Sequence, residues 1–137
     1  MKYSVHMSER SFRPTKFGWM NYLIRKTTPK WCSVSVGDYI SIKSDSSSDD
    51  LVVQVEEVLQ TNEINEIINS ENYLQVCPWA CSIAMAKQAL SISLFGINEV
   101  PIPLPCSLIL IKFIVVNTEW SNKPSLPKSL ELTKSIL

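Results

Sequence analysis

Hydrophobic and polar positions along the chain alternate in short blocks rather than in long helical stripes. Phe17, Trp19, Tyr22 and Ile24 recur as in a strand, and Lys26 to Lys30 with Pro29 reads as a turn. Trp31, Val34 and Val36 lead into Gly37-Asp38, and Tyr39, Ile40 and Ile42 follow, a strand, tight turn and strand. The Ser/Asp run from Lys43 to Asp50 predicts a solvated loop, and the β-branched run from Leu51 to Leu59 predicts a well-buried strand. Ile64, Ile67 and Ile68 fall at helical spacing inside an Asn/Glu-rich loop, which fits a single helical turn.

Tyr73 to Ile83 reads as a strand interrupted at Pro78, Met85 to Leu90 as a helical turn, and Ser91 to Phe95 as a short strand. The three prolines between Val100 and Pro105 keep that stretch extended, and Leu108 to Val116 is the most strongly marked strand of all. Ser125 can cap a helix running to Leu137. The pattern therefore predicts a mainly β fold, a small β-barrel or open roll of about six or seven short strands with a C-terminal helix. Residues 1–13 read as a flexible tail, 14–120 as the β domain, and 121–137 as the helical segment.

Composition narrows the function classes. The chain has 137 residues, 45% of them hydrophobic, which suits one domain with a real core. Thirteen Lys and Arg balance thirteen Asp and Glu, so no large basic field exists to draw in phosphate. The opening residues carry no apolar run of the signal-peptide kind, and the four cysteines form no dense disulfide pattern. Both features point to an intracellular protein with reduced thiols.

Catalytic motifs are missing. His6 is the only histidine and falls in the terminal segment, the three glycines are too scattered for a phosphate loop, and Cys77 and Cys81 lack a second metal-ligand pair. Glu56 and Glu57 are neighbours on a strand, so they point to opposite faces. The expectation is a non-enzymatic protein with no cofactor and no metal.

Three stretches in order resemble the bromo-adjacent-homology (BAH) domain of chromatin regulators. They are Val34 to Ile42 around Gly37-Asp38, Leu51 to Leu59, and Leu94-Phe95 through Leu104-Pro105 and Ile109 to Lys112–Val115, with Val76 and Trp79 between the second and third. The resemblance implies a chromatin or heterochromatin (gene-silencing) interaction module in the nucleus. Its partners would be protein subunits of a chromatin complex or histone tails; the balanced charge and the short apolar run of Leu108 to Val116 separately speak against nucleic acid and membrane as partners.

In the members that read methyl-lysine, an aromatic cage falls at positions matching Leu51, Trp79 and Cys81, so only the Trp is present here. These three and Tyr73 are the partner-binding residues that the resemblance suggests. A second resemblance, from Ile111 to Val116 into the following Asn/Ser/Pro-rich residues and the terminal helix, is to the replication-foci-targeting (RFTS) domain of maintenance DNA methyltransferases, which implies a targeting domain linking a ubiquitin-ligase or methyltransferase complex to heterochromatin, with ubiquitin-pathway components as partners. A third reading stands apart from both: an open-barrel nucleic-acid binder with a local basic patch of Arg25, Lys26 and Lys30 beside Trp31.

Overall fold

The computed structural model describes residues 3–117. Five strands, β1 (Tyr3–Met7), β2 (Tyr22–Lys26), β3 (Tyr39–Ser44), β4 (Asp50–Thr61) and β5 (Leu108–Asn117), form one sheet in the order β1-β3-β4-β5-β2. β1 runs parallel to β3 and every other pairing is antiparallel. The sheet curls into a half-barrel, so the mainly β open barrel expected from the sequence is the fold. It uses five strands among the described residues, and the predicted terminal helix lies outside them.

Strand β5 shows how one sequence supplies two cores. Ile109, Ile111 and Phe113 face a first cluster with Val5, Leu23, Ile40, Ile42, Leu51, Val53 and Val55. Leu108 and Leu110 face the opposite cluster with Ile24, Ile67, Ile68, Val76 and Ala86. Successive side chains of a strand point to opposite faces, so a strand covered on both reads as an unbroken apolar run. The same alternation splits β2, sending Leu23 to the first cluster and Ile24 to the second.

The helices are α1 (Glu9–Lys16), α2 (Pro29–Cys32), α3 (Ile64–Ile67), α4 (Tyr73–Val76) and α5 (Ile83–Phe95). Four segments depart from the sequence reading. Residues 1–13 are no tail across the part described: Tyr3, Val5 and Met7 are buried in β1, and α1 packs Phe12 and Thr15 inward. Phe17–Met20 form a turn, with β2 beginning at Tyr22. The two strands expected between Tyr73 and Phe95 are helices α4 and α5. There the Ser82 side chain accepts the Met85 N–H at 3.1 Å and caps α5, and Gly96, at φ 72°, ends it in the left-handed conformation. Trp31, expected in a strand, lies in α2, where Thr28 caps the turn and Pro29 opens it.

Helix α1 is tied to the β3–β4 turn through Glu9, whose carboxylate accepts from Ser44 Oγ at 2.9 Å and Ser46 Oγ at 3.0 Å. These bonds, Ser44 foremost, with Arg13 beside them, hold the Glu9 carboxyl below its ordinary range. A carboxyl whose folded-state pKa is depressed adds stability above its unfolded value and loses that contribution as pH falls through the folded one. Thermal melts of the protein should therefore drop more steeply than those of Glu9→Gln below about pH 4.3, the ordinary glutamate value. Parallel curves for the two proteins would show that the tie contributes nothing.

Candidate functional site at the open seam

The strand order leaves β1 and β2 as the two edges, and neither pairs outward among the described residues. Part of the seam between them is bridged by α2. Tyr3 stacks on Trp31 with ring centroids 5.7 Å apart, the Tyr3 and Ser33 hydroxyls lie 2.6 Å apart, and Lys30 Nζ donates to the Ser4 carbonyl at 3.5 Å. Elsewhere the seam opens into a cleft of about 260 Å³. Its walls come from His6 and Met7 of β1, Ser8 and Ser11 at the start of α1, Met20, Tyr22 to Arg25 of β2, Cys77 and Trp79, and the face of α5 carrying Ala86, Ala89, Leu90 and Ser93.

Among the described residues, no Asp or Glu lines this cleft. Arg25 does line it, half-buried, and burial pushes its guanidinium pKa down. No carboxylate pairs with it among the described residues. It donates to the Ile24 carbonyl at 2.9 Å and lies 5.9 Å from the Trp31 ring. At the rim the Arg10 guanidinium sits 4.5 Å over the Trp79 ring. A desolvated cation without a counter-charge is costly on its own and makes a site for an anion. Burial pushes the Cys77 thiol up, against a smaller opposing pull from Arg10, so this sulfur stays a neutral apolar wall rather than a nucleophile.

The residues singled out from the sequence scatter. Trp79 lies in the turn between α4 and α5, half-buried against the second cluster, and reaches the cleft. Tyr73 opens α4 and packs on the same cluster, while Cys81 is exposed. Leu51 is only 1% exposed, in the first cluster on the other face of the sheet. A cage built from Leu51, Trp79 and Cys81 therefore does not assemble. The basic patch fares better. Arg25 and Lys30 both approach Trp31, at 5.9 and 4.8 Å, whereas Lys26 lies 5.2 Å from the Phe95 ring. Trp31 itself is 7% exposed and stacked on Tyr3, which removes it as a platform for a ligand. Arg10, Ser11, Met20 and Tyr22 were not legible as site residues, because only the closing of β1 towards β2 brings them together.

No family model matches the sequence, and no curated protein matches it. The fold is similar to two solved structures along nearly their whole length. One is the crystal structure of the hypothetical protein PH0355, at 17% identity and TM-score 0.64, covering 85% of this chain and 100% of that one. The other is the solution structure of protein PF0455 from Pyrococcus furiosus, at 15% identity and TM-score 0.57, covering 85% and 99%. A weaker likeness, at 12% identity and TM-score 0.49, is to an ASCH domain from Lactobacillus crispatus, covering 83% of this chain and 81% of that one.

The first two likenesses correct the family reading. None of these structures is described as a BAH or RFTS domain, and the chromatin, heterochromatin and gene-silencing role inferred from that resemblance falls with it. The geometry explains the failure. Leu94-Phe95 ends a helix instead of forming a strand, and Trp79 occupies a turn, so the three stretches never adopt the arrangement that the resemblance required.

Proposed function

We propose that this chain is a single-stranded nucleic-acid-binding module of the open-barrel type, with the seam cleft as its centre. One observation carries the reading: the half-buried Arg25 guanidinium, which among the described residues pairs with no carboxylate, in a cleft that no described acidic residue lines. A phosphate supplies the missing counter-charge, and the planar fork of arginine suits bidentate contact with it. The aromatic walls, Tyr22 and Trp79, suit a base, because every base has a face that stacks on an aromatic ring.

The zero net charge is no obstacle. Net charge governs long-range steering, whereas occupancy of a cleft follows the local balance, which here is cationic. The edges of β1 and β2 add backbone groups that no strand among the described residues claims.

Fluorescence anisotropy of a labelled six-nucleotide uridine RNA, titrated with the full chain at several salt concentrations, tests the reading. Binding should weaken with salt, with a log–log slope of about −0.7 for each phosphate neutralised on a single strand. Absence of binding at low salt, or an affinity indifferent to salt, would remove nucleic acid as the ligand.

A further inference from the structure

We infer that the nucleic-acid path does not end in the cleft but continues along α1 to a second stacking platform at Trp19; this rests on the proposed function. Helix α1 carries Arg10, Arg13 and Lys16 at intervals of three residues, a spacing that sets them along one side while Phe12 and Thr15 face the core. Arg10 begins the row over Trp79 at the cleft rim. Beyond the last of them, Gly18 at φ 82° reverses the chain, and the Trp19 and Met20 N–H groups both donate to the Pro14 carbonyl, at 2.9 and 3.2 Å. That anchored turn holds Trp19 out, 66% exposed, with Phe17 beside it at 5.7 Å between ring centroids. The residue after Trp19, Met20, already lines the cleft, so platform and cleft are adjoining parts of one surface.

The chemistry is that of a single strand. Two tryptophans flank a row of three cations, and the helix between them is eight residues long, about 12 Å at the usual rise. Stacked bases rise about 3.4 Å per step along a strand, so this interval takes roughly three steps. Arg13 is paired with Glu9 at 3.3 Å and Lys16 with Asp49 at 4.0 Å. The Arg13 pair lies at the surface, where such pairs contribute little and yield readily to phosphate, whereas the Lys16 side chain is half-buried beside Asp49. An exposed tryptophan backed by a rigid turn loses little freedom when a base stacks on it.

Two probes separate this path from the cleft itself: a 5′-phosphorylated uridine dinucleotide, whose single base step cannot span from Trp79 to Trp19, and the uridine hexanucleotide. Trp19→Ala should weaken the hexanucleotide by roughly tenfold, in keeping with one lost stacked base, and leave the dinucleotide unchanged. Arg13→Gln should lower the salt slope of the hexanucleotide by about 0.7 and leave that of the dinucleotide alone. Both side chains are exposed, so the fold is spared. Equal hexanucleotide affinity for Trp19→Ala and the unaltered protein overturns the path, as does an equal loss for both probes. Failure of both probes to bind, or indifference of both to Arg25→Met, overturns the cleft reading instead, so the two failures are distinguishable.

Discussion

Val55→Asp is expected to abolish the folded state. Val55 is 2% exposed, aligned with Phe113 across the β4–β5 pairing and packed in the first cluster. It sits beside a register irregularity between Val55 and Glu57, and its N–H donates to the Asp38 carbonyl at 2.8 Å while its carbonyl accepts from Gly37 at 2.9 Å. The position therefore fixes both the side-chain core and the turn that leads into β3. A carboxylate there loses its water and finds no cation, a cost of several kcal/mol even after the site relaxes, and single domains are stable by only about 5–15 kcal/mol. Circular dichroism should show no cooperative melt for Val55→Asp. Ile114→Asp, on the same pair of strands but 44% exposed, should melt within a few degrees of the unaltered protein. A soluble Val55→Asp protein with a cooperative transition near the original midpoint would place Val55 outside the core.

The strands that form the middle of the sheet were legible because their signal is local. Leu51 to Leu59 and Leu108 to Val116 are dense in β-branched residues and bounded by turns, and they became β4 and β5 with only small shifts at their ends. The edges were harder to read. Tyr3, Val5 and Met7 alternate with Ser4 and His6 as a half-buried strand should, yet five residues at a chain end look like a tail until β3 is there to pair with them in parallel. Helix α5 misled for a different reason. Ile83, Ala86, Ala89, Leu90 and Leu94 form its packed side, but Met85 and Ile92 are apolar as well and exposed, so no polar face marked the helical period. The cleft depends on these two misread elements together, with β1 on one side and α5 on the other. Arg25 was legible as a cation beside an aromatic residue. That it is desolvated and faces no acid among the described residues follows only from how the edges approach each other.

Arg25→Met should separate binding from stability, and in opposite directions. In the free protein the guanidinium is held in a place that disfavours its charge, with a neighbouring carbonyl for a hydrogen bond and no carboxylate among the described residues. A methionine of similar length keeps the apolar contacts of the stem without the desolvated charge, so the thermal midpoint should stay level or rise. Binding should fall, since a hydrogen bond to a charged partner contributes about 1.5–3 kcal/mol, which corresponds to a loss of roughly ten- to hundredfold in affinity for the labelled hexanucleotide. Arg25→Lys should lie between the two, because the ammonium keeps the charge but not the flat two-pronged geometry that matches a phosphate. Paired melts and anisotropy titrations on the three proteins decide the matter. A drop in stability as large as the drop in affinity would mean that Arg25 serves chiefly to brace Trp31, 5.9 Å away, and unchanged affinity would move the ligand out of the cleft. Unequal effects, with stability kept and affinity lost, are the signature of a charge placed for a ligand at the expense of the fold.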